Sequence, residues 1–131
     1  MNKLILALSL LAPMTLSAEI QPQGTGYAGI SFYWSGRTLI HSSLADSDLD
    51  SLKRRLRRIN GSGAKIVTSG RGGYCALAQQ QYRTPGGSAT ASASCASTEQ
   101  AARRDALRAC DREASVTGDY CALVRVVSAY Y

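Results

Sequence analysis

Two spacings of apolar residues alternate along this chain, and they do so twice in the same order. Tyr27 to Trp34 is aromatic and β-prone, Ser35-Gly36 is a turn signal, and Arg37 to Ser42 returns, which predicts a hairpin. Asp46-Ser47-Asp48 offers N-cap chemistry, and Leu49, Leu52, Leu56 and Ile59 follow at helical spacing as one apolar stripe. Asn60-Gly61-Ser62-Gly63 closes that helix, and Ala64 to Thr68 reads as a short strand. After a Gly-rich joint at 69–73 the pattern restarts. Gly73-Tyr74-Cys75-Ala76-Leu77-Ala78 echoes Gly26-Tyr27-Ala28-Gly29-Ile30-Ser31. Tyr74 to Tyr82 and Ser88 to Cys95 read as hairpin arms around Thr84-Pro85-Gly86-Gly87. Ser97 with Gln100 makes a capping box for a helix from Thr98 to Cys110, whose inward face is small: Ala102, Ala106, Ala109 and Cys110. Tyr120 to Val127 is the most apolar strand and is expected at the centre of a sheet.

These elements predict an α+β fold of two strand–strand–helix–strand repeats, 26–69 and 73–131, within a single domain spanning 19–131. The expected architecture is two-layered: a mainly antiparallel sheet with both helices on one face.

The start of the chain is expected to be an export signal, residues 1–18. Lys3 supplies the positive region, and Leu4 to Leu16 is apolar, broken by Pro13, and too short to span a bilayer. Ser17 and Ala18 are the small residues at which cleavage is expected, and Glu19 to Gly26 reads as a loose leader. The mature chain is then periplasmic or extracellular, with no membrane span.

Export gives the four cysteines their meaning, because an even number in a short exported chain points to disulfides. A hairpin centred near Pro85 sets Cys75 almost opposite Cys95. Cys110 closes the second helix and Cys121 opens the next strand, so the expected pairs are Cys75–Cys95 and Cys110–Cys121. With no C-x-x-C motif and His41 as the single histidine, neither a metal site nor a redox motif is expected.

The strand Gly73-Tyr74-Cys75-Ala76-Leu77-Ala78, the Gly86-Gly87 turn, Ala102-x-x-x-Ala106-Leu107-x-x-Cys110, and Cys121-Ala122-Leu123-Val124 resemble a widespread bacterial family of small secreted domains of unknown function. The resemblance covers the C-terminal half. It departs from the family pattern after the turn, where Ser88 to Ser94 stands in place of aromatic Trp-Gly residues. It implies a secreted, disulfide-closed domain and carries over no catalytic residue.

Charge adds a surface. The formal net charge is +6, one unit of it from Lys3. Lys53, Arg54, Arg55, Arg57 and Arg58 fan across the side of the first helix opposite its apolar stripe, and Arg103, Arg104, Arg108 and Arg112 lie on the second. On one shared face, with Arg104 and Arg108, they would form a basic plateau for an acidic protein or an anionic envelope polymer. Nucleic acid is not expected, since export and the lack of a base-stacking motif both argue against it. Tyr27, Phe32, Tyr33 and Trp34 cluster on the first hairpin, and Tyr130-Tyr131 ends the chain. Strand alternation sends Phe32 and Trp34 one way and Tyr33 the other. Tyr33 and Trp34 are the candidate aromatic anchors.

Catalysis has little to stand on. His41 sits on a strand beside Ser42 and Ser43, and the acids form no spaced pair of the kind glycoside hydrolysis uses. Gly24-Thr25-Gly26 and Gly70-Arg71-Gly72-Gly73 are not followed by the helix that phosphate cradling needs. The expectation is a basic, exported, disulfide-bonded protein-binding module without catalysis or cofactor, such as an inhibitor, immunity-type or accessory protein of the bacterial envelope. The alternative is a polyanion- or envelope-binding protein acting through its arginine-rich helices.

Overall fold

The computed structural model describes residues 26–81, 90–114 and 120–129. The expected signal, the leader up to residue 25, the 84–87 turn and Tyr130-Tyr131 lie outside the described residues. The elements are β1 Tyr27–Ser35, β2 Thr38–Asp46, α1 Leu49–Asn60, β3 Lys65–Thr68, β4 Tyr74–Gln81, β5 Ala91–Ala96, α2 Glu99–Ala114 and β6 Tyr120–Ser128. They build two three-stranded antiparallel sheets, ordered β2-β1-β3 and β5-β4-β6. The strand–strand–helix–strand plan thus occurs twice, and each unit places its first strand at the centre. The α+β class follows, while β6, expected at a sheet centre, is an edge strand.

The layering differs from the expected two layers. Ala28, Ile30 and Phe32 on one face of β1 form a core with Cys75 and Leu77 of β4, joined by Leu39 and Ala129. The opposite face of β4 carries Ala76 and Ala78 into a second cluster with Ala102, Ala106, Cys110 and Ala114 of α2. The opposite face of β1 meets α1, where a Cβ on Gly29 would lie 2.8 Å from Leu56 Cδ1 and 3.1 Å from Leu52 Cδ2. The sheets therefore stack face to face, with α1 outside one and α2 outside the other. The reason is visible in β1 and β4. Residues 28–32 and 75–78 are buried without interruption, and a strand buried on consecutive residues must be covered on both sides. Ala28 and Ile30 hold the positions that Cys75 and Leu77 hold in the other unit, so equivalent faces meet, as in an isologous interface.

Each helix begins on a side-chain cap. Asp48 Oδ2 accepts from the Ser51 amide at 2.8 Å, and Thr98 Oγ1 from the Ala101 amide at 3.2 Å. The cap of α2 is thus Thr98, one residue beyond the expected Ser97, because β5 continues to Ala96 and the turn needs both following residues. At the far end of α1, Asn60 Nδ2 donates to Ser31 Oγ at 2.6 Å. Asn60, not Ile59, makes that contact with β1. Ile59 is consequently 52% exposed, and the buried stripe of α1 reduces to Leu52 and Leu56. The first hairpin turns at Gly36-Arg37, with Gly36 at φ 63, and β2 pairs with β1 as far as Tyr27 opposite Asp46.

Both expected disulfides are present. Cys75 faces Cys95 in the β4–β5 ladder with Cα atoms 4.0 Å apart, and Cys110–Cys121 ties α2 to β6. Asp111 Oδ1 also accepts from the Cys121 amide at 3.1 Å, bracing that second link. Two disulfides in so small a fold indicate an oxidising environment. No helix among the described residues is long and apolar enough to cross a membrane.

Candidate functional site

Stacking two three-stranded sheets leaves open edges, and β3 and β5 run near each other along one side of the sandwich. Here β1, at its end remote from Gly26, delivers the aromatic residues. Phe32 is inward and 5% exposed, Trp34 packs half-buried against the inter-sheet core, and Tyr33 points out at 38% exposure. The expected alternation holds. A cleft of about 300 Å³ opens among Phe32, Tyr33, Trp34, Lys65, Ala91 and Glu113. It continues as a groove of about 420 Å³ between Ile66 and Val67 of β3 and Ala91 and Ala93 of β5, with Ala109 and Glu113 of α2 as the far wall.

The site joins both repeats, since its aromatics and Lys65 come from the first and Ala91 and Glu113 from the second. Its lining mixes apolar side chains with polar groups, Thr90 and Ser92 among them, and its two ionic groups have opposite sign. Among the described residues neither Lys65 nor Glu113 forms a salt bridge. Such a site suits a ligand with apolar side chains and polar groups of both signs, as a peptide has. Sequence reasoning singled out Tyr33 and Trp34 but missed Lys65 and Glu113 as partners. They lie 48 positions apart in separate elements, and no local pattern joins them.

The basic residues do not form the expected plateau. Arg54, Arg55, Arg57 and Arg58 are exposed on α1 and Lys53 is half-buried beside them, while Arg104 and Arg108 are exposed on α2, across the thickness of the molecule. The two helices also differ in balance. α1 carries those five cations against one carboxylate, Asp50. In α2, Arg103, Arg104, Arg108 and Arg112 are matched by Glu99, Asp105, Asp111 and Glu113, and Arg103 and Arg104 sit 2.8 and 3.2 Å from Glu99 and Asp105. On α1, Arg55 reaches back to Asp46 at 2.9 Å. The Asp48 amide first, and then Arg55, hold the Asp46 carboxyl below its ordinary pKa.

His41 lies opposite Phe32 on β2 and does not line the cleft. Its Nδ1 is buried without a hydrogen-bond partner among the described residues, and burial, then the nearby Arg125, push its pKa below the ordinary value. Among the described residues no cluster of His, Cys, Asp or Glu is arranged to hold a metal ion. Comparison with family models, with curated proteins and with solved structures gives no match for this chain.

Proposed function

We propose that this is an exported, non-catalytic protein-binding module, periplasmic or extracellular, that engages its partner at the cleft between the two sheets. The observation that carries the reading is the meeting of Tyr33 and Trp34 with two charges of opposite sign, Lys65 and Glu113, neither in a salt bridge among the described residues. Aromatic anchors in a small apolar recess are a recurrent source of binding energy at protein interfaces. The place of His41 away from the cleft, with its depressed pKa and no acidic partner among the described residues, supports binding rather than acid–base chemistry.

The test is capture from envelope and culture-medium extracts with tagged residues 19–131, washed at low and at high salt. A single stoichiometric protein should survive the high-salt wash. Tyr33→Ala should weaken its retention about 30-fold, the effect of losing an anchor worth about 2 kcal/mol. Retention unchanged in Tyr33→Ala and Trp34→Ala would remove the cleft from the interface.

The charge imbalance of α1 favours a second reading, in which its outer face binds an anionic envelope polymer. That reading requires everything bound to elute at high salt. It also requires Arg54→Glu with Arg58→Glu to abolish binding while Tyr33→Ala leaves it intact.

A further inference from the structure

The ladder of the second sheet shows which backbone groups of β5 are spoken for. The Gln80 amide donates to the Thr90 carbonyl at 2.9 Å, which makes Gln80/Thr90 a hydrogen-bonded pair. Antiparallel pairs alternate, so Ala78/Ser92 and Ala76/Ser94 are hydrogen-bonded too, and Gln79/Ala91, Leu77/Ala93 and Cys75/Cys95 are not. The 4.0 Å Cα separation at Cys75/Cys95 agrees with the closer, non-bonded kind of pair. The N–H and C=O groups of Ala91 and Ala93 therefore point away from β4, out of the open edge and along the groove. Edge strands are ordinarily defended by charge, proline or a bulge. Among the four edge strands, β2 ends in Asp46, β3 begins with Lys65, and β6 carries Arg125 and a register shift against β4. β5, with the sequence Ala-Ser-Ala-Ser-Cys-Ala, has a regular register and no charge or proline.

We propose that β5 is a strand-addition site: an extended segment of a partner protein pairs with the outward groups of Ala91 and Ala93 and extends the second sheet. This deepens the protein-binding reading and rests on it. Alternate side chains of the incoming strand fall on opposite faces. One set enters the groove over Phe32 and Val67, with Lys65 at its wall. The other lies against Ala109 of α2 and beside Glu113. Charge complementarity sets the ligand's chemistry: apolar residues and an acid on the face toward Lys65, small residues and a base on the face toward Glu113. The backbone bonds supply sequence-independent affinity, and the Tyr33/Trp34 end of the cleft supplies selection.

The experiment pans a displayed library of random linear peptides, about ten residues long, against the folded, disulfide-intact protein. Enriched peptides should alternate apolar and polar residues, and binding should protect the amides of Ala91 and Ala93 from hydrogen exchange. Ala93→Pro removes an outward N–H while leaving the pairing with β4, and it should weaken binding on the order of tenfold or more. N-methylation of alternate peptide amides should abolish binding in one phase and spare it in the other, a measurement that stands even where Ala93→Pro fails to form both disulfides. Lys65→Glu should select basic in place of acidic residues on the inward face. Failure to enrich any peptide, protection elsewhere on the surface, indifference to both N-methyl phases, or a β5-mediated dimer of the protein itself would each overturn the proposal. A partner protein held equally by wild type and Ala93→Pro would overturn strand addition and leave the protein-binding reading standing.

Discussion

Gly29 is the point at which α1 comes down onto β1, and no larger residue fits without movement. A methyl group there would press on Leu56 Cδ1 at 2.8 Å, so Gly29→Ala should cost about 1–3 kcal/mol, read as a lowered thermal midpoint. Nothing local marks this glycine, because its constraint comes from Leu52 and Leu56 more than twenty residues away. His41 makes a different kind of prediction. Its folded pKa lies below the ordinary 6.5, so the unfolded chain takes up a proton that the folded chain resists. Stability should be flat above about pH 6.5 and should fall as acid is added below it, until the folded group itself protonates. His41→Gln should flatten that part of the profile in denaturant titrations. Asp46 acts in a separate and more acidic window. Its folded pKa is below 3.8, so the stability it confers is complete above 3.8 and is lost as the pH falls through the folded value.

The elements were legible to different degrees, for reasons that individual residues make plain. The Leu52/Leu56 spacing and the Asp48 cap announced α1, and Asn60-Gly61 its end. The hairpin of Cys75 and Cys95 could be read because equal arm lengths about a Pro-Gly turn set two cysteines opposite each other. β2 runs past its expected end at Ser42, because the polar pair Ser42-Ser43 hides the continuation that pairs with Ala28 and Tyr27. The two links close loops with sequence separations of 20 and 11 residues. Replacing either pair by alanine should cost about 3 kcal/mol on the chain-entropy model, measured by denaturant unfolding of the oxidised variants. Both links lie in the second unit, so reduction should loosen β4, β5, α2 and β6 before it affects α1. Hydrogen exchange under reductant would show that order.

At the scale of the molecule, the stacking of two sheets was the feature least legible beforehand. The apolar run at 28–32 fits either a sheet centre or a two-sided burial, and only partner strands far along the chain decide between them. That stacking also created the cleft, which draws on both repeats and so had no signature in either. Leu77 is fully buried between the sheets, and Leu77→Ala should cost about 2–5 kcal/mol in denaturant unfolding, with both disulfides still formed. A similar truncation on the outer arc of α1, Arg57→Ala, should change stability by less than about 0.5 kcal/mol.

The joint between the repeats does more than connect them. The Gly72 amide donates to the Gly26 carbonyl at 2.7 Å, and the Ala129 amide to the Gly73 carbonyl at 2.9 Å. The entry to β1, the exit from β6 and the 70–73 linker therefore share one corner, at the opposite end of β1 from the aromatic cleft. A circular permutant could open the chain between Gly70 and Gly73 and bridge Ala129 to Gly26 with a short linker, keeping every layer in place. Because each unit repeats the same strand order, the permutant has the same architecture with its halves exchanged. The order of the two halves is thus nearly interchangeable in this fold, and what distinguishes first from second is chemistry: unbalanced cations on the outer helix of one, two cystines in the other.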